Sequence, residues 1–205
     1  MRCRCSSRTW PDGLLPGRPL SVAGLILASR SPQRSAILRQ VGIEFEQVTP
    51  EVRELEHGRA EEVAAENAFR KAAAAARGTG VPVLGVDTVV AVGDRIYGKP
   101  RDAEEARATL RALSGREHIV VSGVCLIESS APRTAVVTTA VEFRALDGGF
   151  IDWYVTAGEW RGRAGGYAIQ GRGAALVRRI EGDYLNVVGL PLATLLDLAP
   201  WLLGR

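Results

Sequence analysis

Leu25-Ile26-Leu27-Ala28-Ser29-Arg30-Ser31-Pro32-Gln33-Arg34-Ser35-Ala36-Ile37-Leu38 begins as a short apolar run, breaks into a polar loop at Ser29, and resumes with Ile37, Leu38 and Val41 at helical spacing. That pattern predicts a buried strand, a tight loop and a helix. Pro32 suits the first turn of the helix and Ser31 its N-cap, and the unpaired N–H groups there, with the positive end of the helix dipole, favour an anion. Ser29, Ser31, Arg30 and Arg34 add hydroxyls and fixed positive charge at the same point. Two readings stay open, a plain helix cap and a phosphate loop. Neither the Walker-type glycine-rich loop nor the Gly-x-Gly-x-x-Gly fingerprint is present.

Upstream, residues 1–22 hold Arg, Ser, Pro and Gly without periodicity, and the expectation is a disordered extension ahead of one domain over 23–205. Arg2, Arg4 and Arg8 before the apolar run Val22 to Ala28 mimic a signal peptide. The apolar part is short and runs straight into the loop, so no cleavage is expected and a cytoplasmic protein is. No stretch is long enough to span a membrane.

Downstream, Ile43 to Val48 alternates like a strand, and Thr49 to Glu56 is polar and acidic. Glu51, Glu54 and Glu56 read as solvated loop charges, or as a source of a carboxylate that holds magnesium over phosphates. Glu61 to Arg77 is an Ala-rich helix, with Lys71 on a face shared with Asn67 and Ala75; a lysine there is normally solvent-facing. Val81 to Val92 is a nearly continuous apolar run, which predicts a strand buried on both faces. Asp87 and Thr88 interrupt it. A buried carboxylate is costly unless paired or metal-bound, so Asp87 is the leading catalytic candidate.

Gly93-Asp94-Arg95 then predicts a hairpin turn that brings Lys99 back toward Asp87. Asp102 to Leu113 reads as a capped helix, His118 to Glu128 and Thr134 to Phe143 as antiparallel strands, and Phe150 to Ala157 as a short helix. Arg163 to Gly171 is a glycine-rich loop that lets backbone approach a ligand. Ala174 to Ile180 reads as a strand, Gly182 to Tyr184 as a turn, and Leu192 to Leu203 as a final helix. Elements mixed in this way indicate an α/β or α+β fold on a mixed sheet.

The 205 residues are 46% hydrophobic and 24% charged, an ordinary composition that can bury a core. A net charge of +3 on scattered basic residues gives no reason to invoke nucleic acid. Of the 26 Lys and Arg residues, only Lys71 and Lys99 are lysine. An ammonium is a compact point charge suited to tight phosphate sites, which makes both candidates. Three cysteines and two histidines are too few for a disulfide framework, a four-ligand zinc site or a well-supported Ser-His-Asp triad.

Five motifs in order resemble the Maf (septum-formation) family of nucleoside triphosphate pyrophosphatases. They are Leu-Ile-Leu-Ala-Ser-x-Ser-Pro-x-Arg at 25–34, Gly-x-Asp-Thr-Val-Val at 85–90, Gly-Lys-Pro at 98–100, Gly-Tyr-x-Ile-Gln-Gly at 166–171 and Asn-Val-Val-Gly-Leu-Pro at 186–191. The resemblance implies an elongated mixed sheet flanked by helices, with two lobes and a central cleft, of the Maf and inosine-triphosphatase type. It implies hydrolysis of a nucleoside triphosphate to monophosphate and pyrophosphate with Mg2+ or Mn2+, commonly by a homodimer.

On the same basis Ser29, Ser31 and Arg34 match the phosphate loop, and Glu54, Lys71, Asp87 and Lys99 the charged constellation. Asp87 is similar to the family's general base, Glu54 and Asp87 would hold the metal, and Gln170 would read the base. Thr88 and Gln170 agree with the pyrimidine branch, which resembles a dTTP and UTP pyrophosphatase. Gln33 stands where that branch usually has Arg, Arg53 where Asp is frequent, and Arg163 where Lys is. A 7-methyl-GTP-type pyrophosphatase and a non-catalytic nucleotide-binding regulator are the alternatives.

Overall fold

The computed structural model describes residues 24–129 and 131–204. The extension expected over 1–22, with Cys3 and Cys5, lies outside the described residues. The strand, loop and helix form as the opening pattern predicts. Strand β1 (Ile26–Ala28) is wholly buried, and helix α1 (Pro32–Gln40) starts on Ser31 as N-cap with Pro32 in its first turn. There follow β2 (Glu46–Val48), α2 (Ala60–Ala75), β3 (Val83–Val92), β4 (Arg95–Tyr97), α3 (Ala103–Leu113), β5 (Glu117–Glu128), β6 (Ala131–Phe143), α4 (Gly148–Thr156), β7 (Val177–Glu181), α5 (Tyr184–Val188) and α6 (Leu192–Leu198).

Seven strands make one mixed sheet in the order β2-β1-β3-β5-β6-β7, with β4 paired to β3 off that path. β1 runs parallel to β2 and β3, and the remaining pairs are antiparallel. The register decides where a cleft can open. Pairing of β1 with β3 ends at Ala28 opposite Gly85, and pairing of β4 with β3 begins at Tyr97 opposite Val90. From Val86 to Val89, β3 therefore has a strand neighbour only on its β5 side. The sheet divides there, with Asp87 and Thr88 in the fork.

Helix α2 covers one face through a stripe of Ala60, Val63, Ala64, Asn67, Ala68, Lys71 and Ala72, a helical period of buried positions. Its small side chains let the helix lie directly on two glycines. A Cβ on Gly85 would sit 2.1 Å from the Ala68 carbonyl oxygen, and one on Gly123 2.2 Å from that of Ala64. Gly123 lies opposite Asp87 in the β3–β5 register, so the closest approach of helix to sheet falls beside that carboxylate. On the other face Leu25, Leu27, Ile37, Leu38, Leu84, Val86, Leu190 and Leu195 form a second core. A third, around Leu110, Leu113, Phe143, Ile151, Tyr154 and Tyr167, builds the second lobe. Each fully buried side chain of this size contributes about 1.5–3 kcal/mol, which makes the walls of the cleft stiff.

Several boundaries differ from the sequence expectations, and four of the differences have a clear physical cause. The Ile43 N–H closes helix α1 by donating to the Leu38 carbonyl (3.0 Å), so strand pairing begins only at Glu46. The segment expected as a strand from Ala174 begins as a 3-10 turn, Arg172–Leu176, and joins β6 from Val177. Gly182 turns the chain at φ 125°, but Asp183 then caps the unexpected helix α5, accepting from the N–H groups of Leu185 (2.7 Å) and Asn186 (3.2 Å). The last helix stops at Leu198 because Pro200 has no N–H to continue it, and Pro200–Leu203 makes a 3-10 turn. Among the described residues no helix is long and apolar enough to cross a membrane.

Candidate active site

The fork in the sheet opens into a cleft of about 1070 Å³, and all ten residues singled out in the sequence line it: Ser29, Ser31, Gln33, Arg34, Glu54, Lys71, Asp87, Thr88, Lys99 and Gln170. They come from separate elements. The β1–α1 loop supplies the first four, the segment after β2 supplies Glu54, α2 supplies Lys71, β3 supplies Asp87 and Thr88, and the chain after β4 supplies Lys99. Gln170, exposed, comes from the glycine-rich loop.

Asp87 is 6% exposed and is the only buried carboxylate among the described residues. Its Oδ1 meets the Lys71 ammonium at 2.5 Å, and its Oδ2 accepts from Asn67 Nδ2 at 3.2 Å. Lys71 also meets Glu54 Oε1 at 2.9 Å, so one ammonium sits between two carboxylates. Lys71 is itself 8% exposed, contrary to the solvent-facing position usual for such a lysine. Removing one member of a buried ion pair leaves the other charge uncompensated, which ties the three side chains together energetically.

Arg34 is buried as well. Its Nε donates to the Gly189 carbonyl (2.8 Å), Nη1 to Ser29 Oγ (2.9 Å) and Nη2 to Thr88 Oγ1 (3.0 Å). Thr88 Oγ1 in turn shares a hydrogen with Ser122 Oγ at 2.8 Å. The guanidinium thus joins the ends of β1 and α5 to the middle of β3 while carrying its charge to the cleft floor. Burial lowers its pKa, and Asp87 and Glu54 oppose that. Lys99 faces the open cleft; partial burial lowers its pKa most, Lys71 and Arg34 add to the effect, and Glu54 and Asp87 oppose it.

Ser31 caps α1 and also lines the cleft. Its Oγ accepts from the Arg34 N–H (3.4 Å) and donates to Gln33 Oε1 (3.2 Å), so the cap and the cleft wall are one structure. Gln47, which sequence reasoning passed over, fixes this loop from β2 by donating to the Ser29 carbonyl (2.7 Å) and accepting from Ser35 Oγ (3.0 Å). Asn67, Ser122 and Gly189 were also passed over as site residues. Asn67 carried a legible signal, a polar side chain on the apolar stripe of α2, but Ser122 and Gly189 come close only through long-range pairing.

Among the described residues no three His, Cys, Asp or Glu side chains cluster as a metal cage. The donor set is a pair of carboxylates, Glu54 and Asp87, beside a surface rich in hydroxyl and cationic side chains. Hard cations such as Mg2+ are held in this way, by one or two carboxylates together with substrate phosphates.

The Maf-like protein family model matches residues 24–200. A dTTP/UTP pyrophosphatase of Symbiobacterium thermophilum is 48% identical over 171 residues, 82% of this chain and 88% of the relative. One of Pyrococcus furiosus is 41% identical over 179 residues, 85% and 93% of the two chains. Among solved structures, the Staphylococcus aureus Ham1 protein matches 58% of this chain and 71% of its own, with a TM-score of 0.43 and 18% identity. A family match that takes in both the strand-loop-helix opening and the Asp87 strand leaves one conclusion: this chain belongs to the Maf-like protein family.

Proposed function

We propose that the protein hydrolyses pyrimidine nucleoside triphosphates, dTTP and UTP, to the monophosphate and pyrophosphate. One observation carries the chemistry. A buried carboxylate, Asp87, lies in the fork of the sheet with an ammonium 2.5 Å away, and the cleft above it is walled by a helix N-terminus, Arg34 and Lys99. A site that only bound nucleotide would gain nothing from burying a carboxylate beside the phosphates. The pyrimidine preference is supported by the names of the relatives above and by Thr88 and Gln170 in the cleft. An amide offers donor and acceptor side by side, which suits the alternating edge of uracil or thymine.

In this mechanism the triphosphate lies along the β1–α1 loop, where Ser29, Ser31 and the first N–H groups of α1 face its oxygens. Asp87 takes the proton of the attacking water as general base. Lys71 and Lys99 stabilise charge growing on the phosphate oxygens, and Arg34 acts from behind while holding Ser29 and Thr88 in place. Glu54 and Asp87 would hold a Mg2+ or Mn2+ ion arriving with the substrate, which would screen the phosphate charge and polarise the bond to the leaving group. The enzyme so proposed is a cytoplasmic homodimer acting on free nucleotides.

Pyrophosphate release from dTTP, UTP, CTP, GTP and 7-methyl-GTP, with and without Mg2+ or Mn2+, tests the proposal. Release fastest from dTTP and UTP, dependent on metal, and reduced about 1,000-fold by Asp87→Asn is the expected result. Tight nucleotide binding with no release from any of the five would overturn it in favour of a nucleotide sensor.

A further inference from the structure

Helix α2 places two polar side chains in its buried stripe, Lys71 and Asn67, and only Lys71 has a part in the chemistry above. Asn67 is 1% exposed, and both its amide hydrogens and its carbonyl oxygen are engaged. Oδ1 accepts from the Leu55 N–H at 2.7 Å, while Nδ2 donates to the Leu55 carbonyl at 3.0 Å and to Asp87 Oδ2 at 3.2 Å. Bonding both the N–H and the C=O of one residue is how a neighbouring strand grips a backbone. Here a side chain does it.

The gripped segment has little else to hold it. Residues 49–56 contain no helix or strand, and Leu55 is 37% exposed, so burial does not anchor it. Beyond Asn67 and the Glu54–Lys71 pair, its side-chain tether among the described residues is the exposed bond from Arg70 Nη1 to the Arg53 carbonyl at 3.0 Å. Glu54 is the residue next to the one that Asn67 grips. A leucine of similar size would suit the Ala and Val positions that flank it in the stripe, so packing alone gives no reason for an amide at this position.

We propose that Asn67 is a positioning residue that couples the two carboxylates of the site. It fixes the Leu55 backbone, and through it Glu54, at a set distance from Asp87, whose Oδ2 it holds with the same amide. The kinetic consequence rests on the pyrophosphatase function proposed above; the backbone consequence does not.

The test is Asn67→Leu in the full chain, read in three ways. Hydrogen exchange of the Leu55 amide, followed by NMR, should quicken at least about tenfold when its acceptor is removed. For the best nucleotide, kcat should fall about 100-fold with KM kept within about threefold, because the β1–α1 loop is untouched. In a Glu54→Gln background the same substitution should cost less than about tenfold, since the carboxylate it positions is already gone. Unchanged Leu55 exchange, or an equal loss of kcat in both backgrounds, would overturn the proposal. Should Asn67→Leu fail to fold, Asn67→Ser gives the same readings, because a hydroxyl cannot span Leu55 and Asp87 together. Should the wild type release no pyrophosphate, the functional proposal fails and Leu55 exchange alone decides the clamp.

Discussion

Lys71, one of two lysines among 26 Lys and Arg residues, is 8% exposed and held between Glu54 and Asp87. Its scarcity was legible in the sequence; its burial was not, because an Ala-rich helix shows no strong apolar face. Asp87 was legible for the opposite reason, as a charge inside a run of Val and Leu where a charge is expensive. His118 gave no signal at all. It is 2% exposed, donates to or accepts from Tyr167 Oη at 2.9 Å through Nε2, and packs edge-on against Phe143. Burial lowers its pKa from 6.5 to about 4. Above pH 6.5 both folded and unfolded chains hold it neutral, and as pH falls toward 4 only the unfolded chain takes the proton. Stability attributable to this group is therefore full above pH 6.5 and declines by about 3 kcal/mol on the way to pH 4. Urea denaturation at pH 7 and pH 4.5 should show a smaller acid loss for His118→Phe than for the wild type, although the variant is weaker at neutral pH through the lost Tyr167 partner. Equal acid losses would remove His118 from the account.

Among the elements, α2 and the two glycines beneath it set the site's geometry. Lys71 and Asn67 reach Asp87 because the helix backbone touches the sheet at Gly85 and Gly123, and nothing local in the sequence marks those glycines as contact points. A methyl group at 123 would have to displace the Ala64 carbonyl, which backbone cannot yield cheaply. Gly123→Ala should therefore cost about 2–3 kcal/mol in urea denaturation and, in what still folds, lower kcat by withdrawing Lys71 and Asn67 from Asp87. Gly148→Ala, where the added Cβ meets nothing within 4 Å, should change stability by less than about 0.5 kcal/mol. Most elements were readable from periodicity and capping, as with Ser31 and Asp102, each of which caps the helix that follows it, whereas Asp147 caps α4 ahead of the start expected at Phe150. Three misread ones, the start of β2, the start of β7 and helix α5, lie where backbone groups find partners outside their own segment, and the last helix ends early at Pro200.

Across the whole molecule, the cleft follows from strand register. Pairing of β1 with β3 stops at Gly85 and pairing of β4 with β3 starts at Val90, and the fork between them opens Asp87 and Thr88 to a space walled by both lobes. Motif order identified the residues that meet there, but no local pattern shows that β1 lies parallel to β3, or that β5 closes its other side. That topology converts five separated motifs into one site. Attack by water on the α-phosphorus, with Asp87 as base, is the central claim made for it, and hydrolysis of dTTP in 18O-labelled water tests it most directly. The label should appear in the monophosphate and not in pyrophosphate, at a rate that Asp87→Asn suppresses. Label in the pyrophosphate, or a rate indifferent to that substitution, would contradict it.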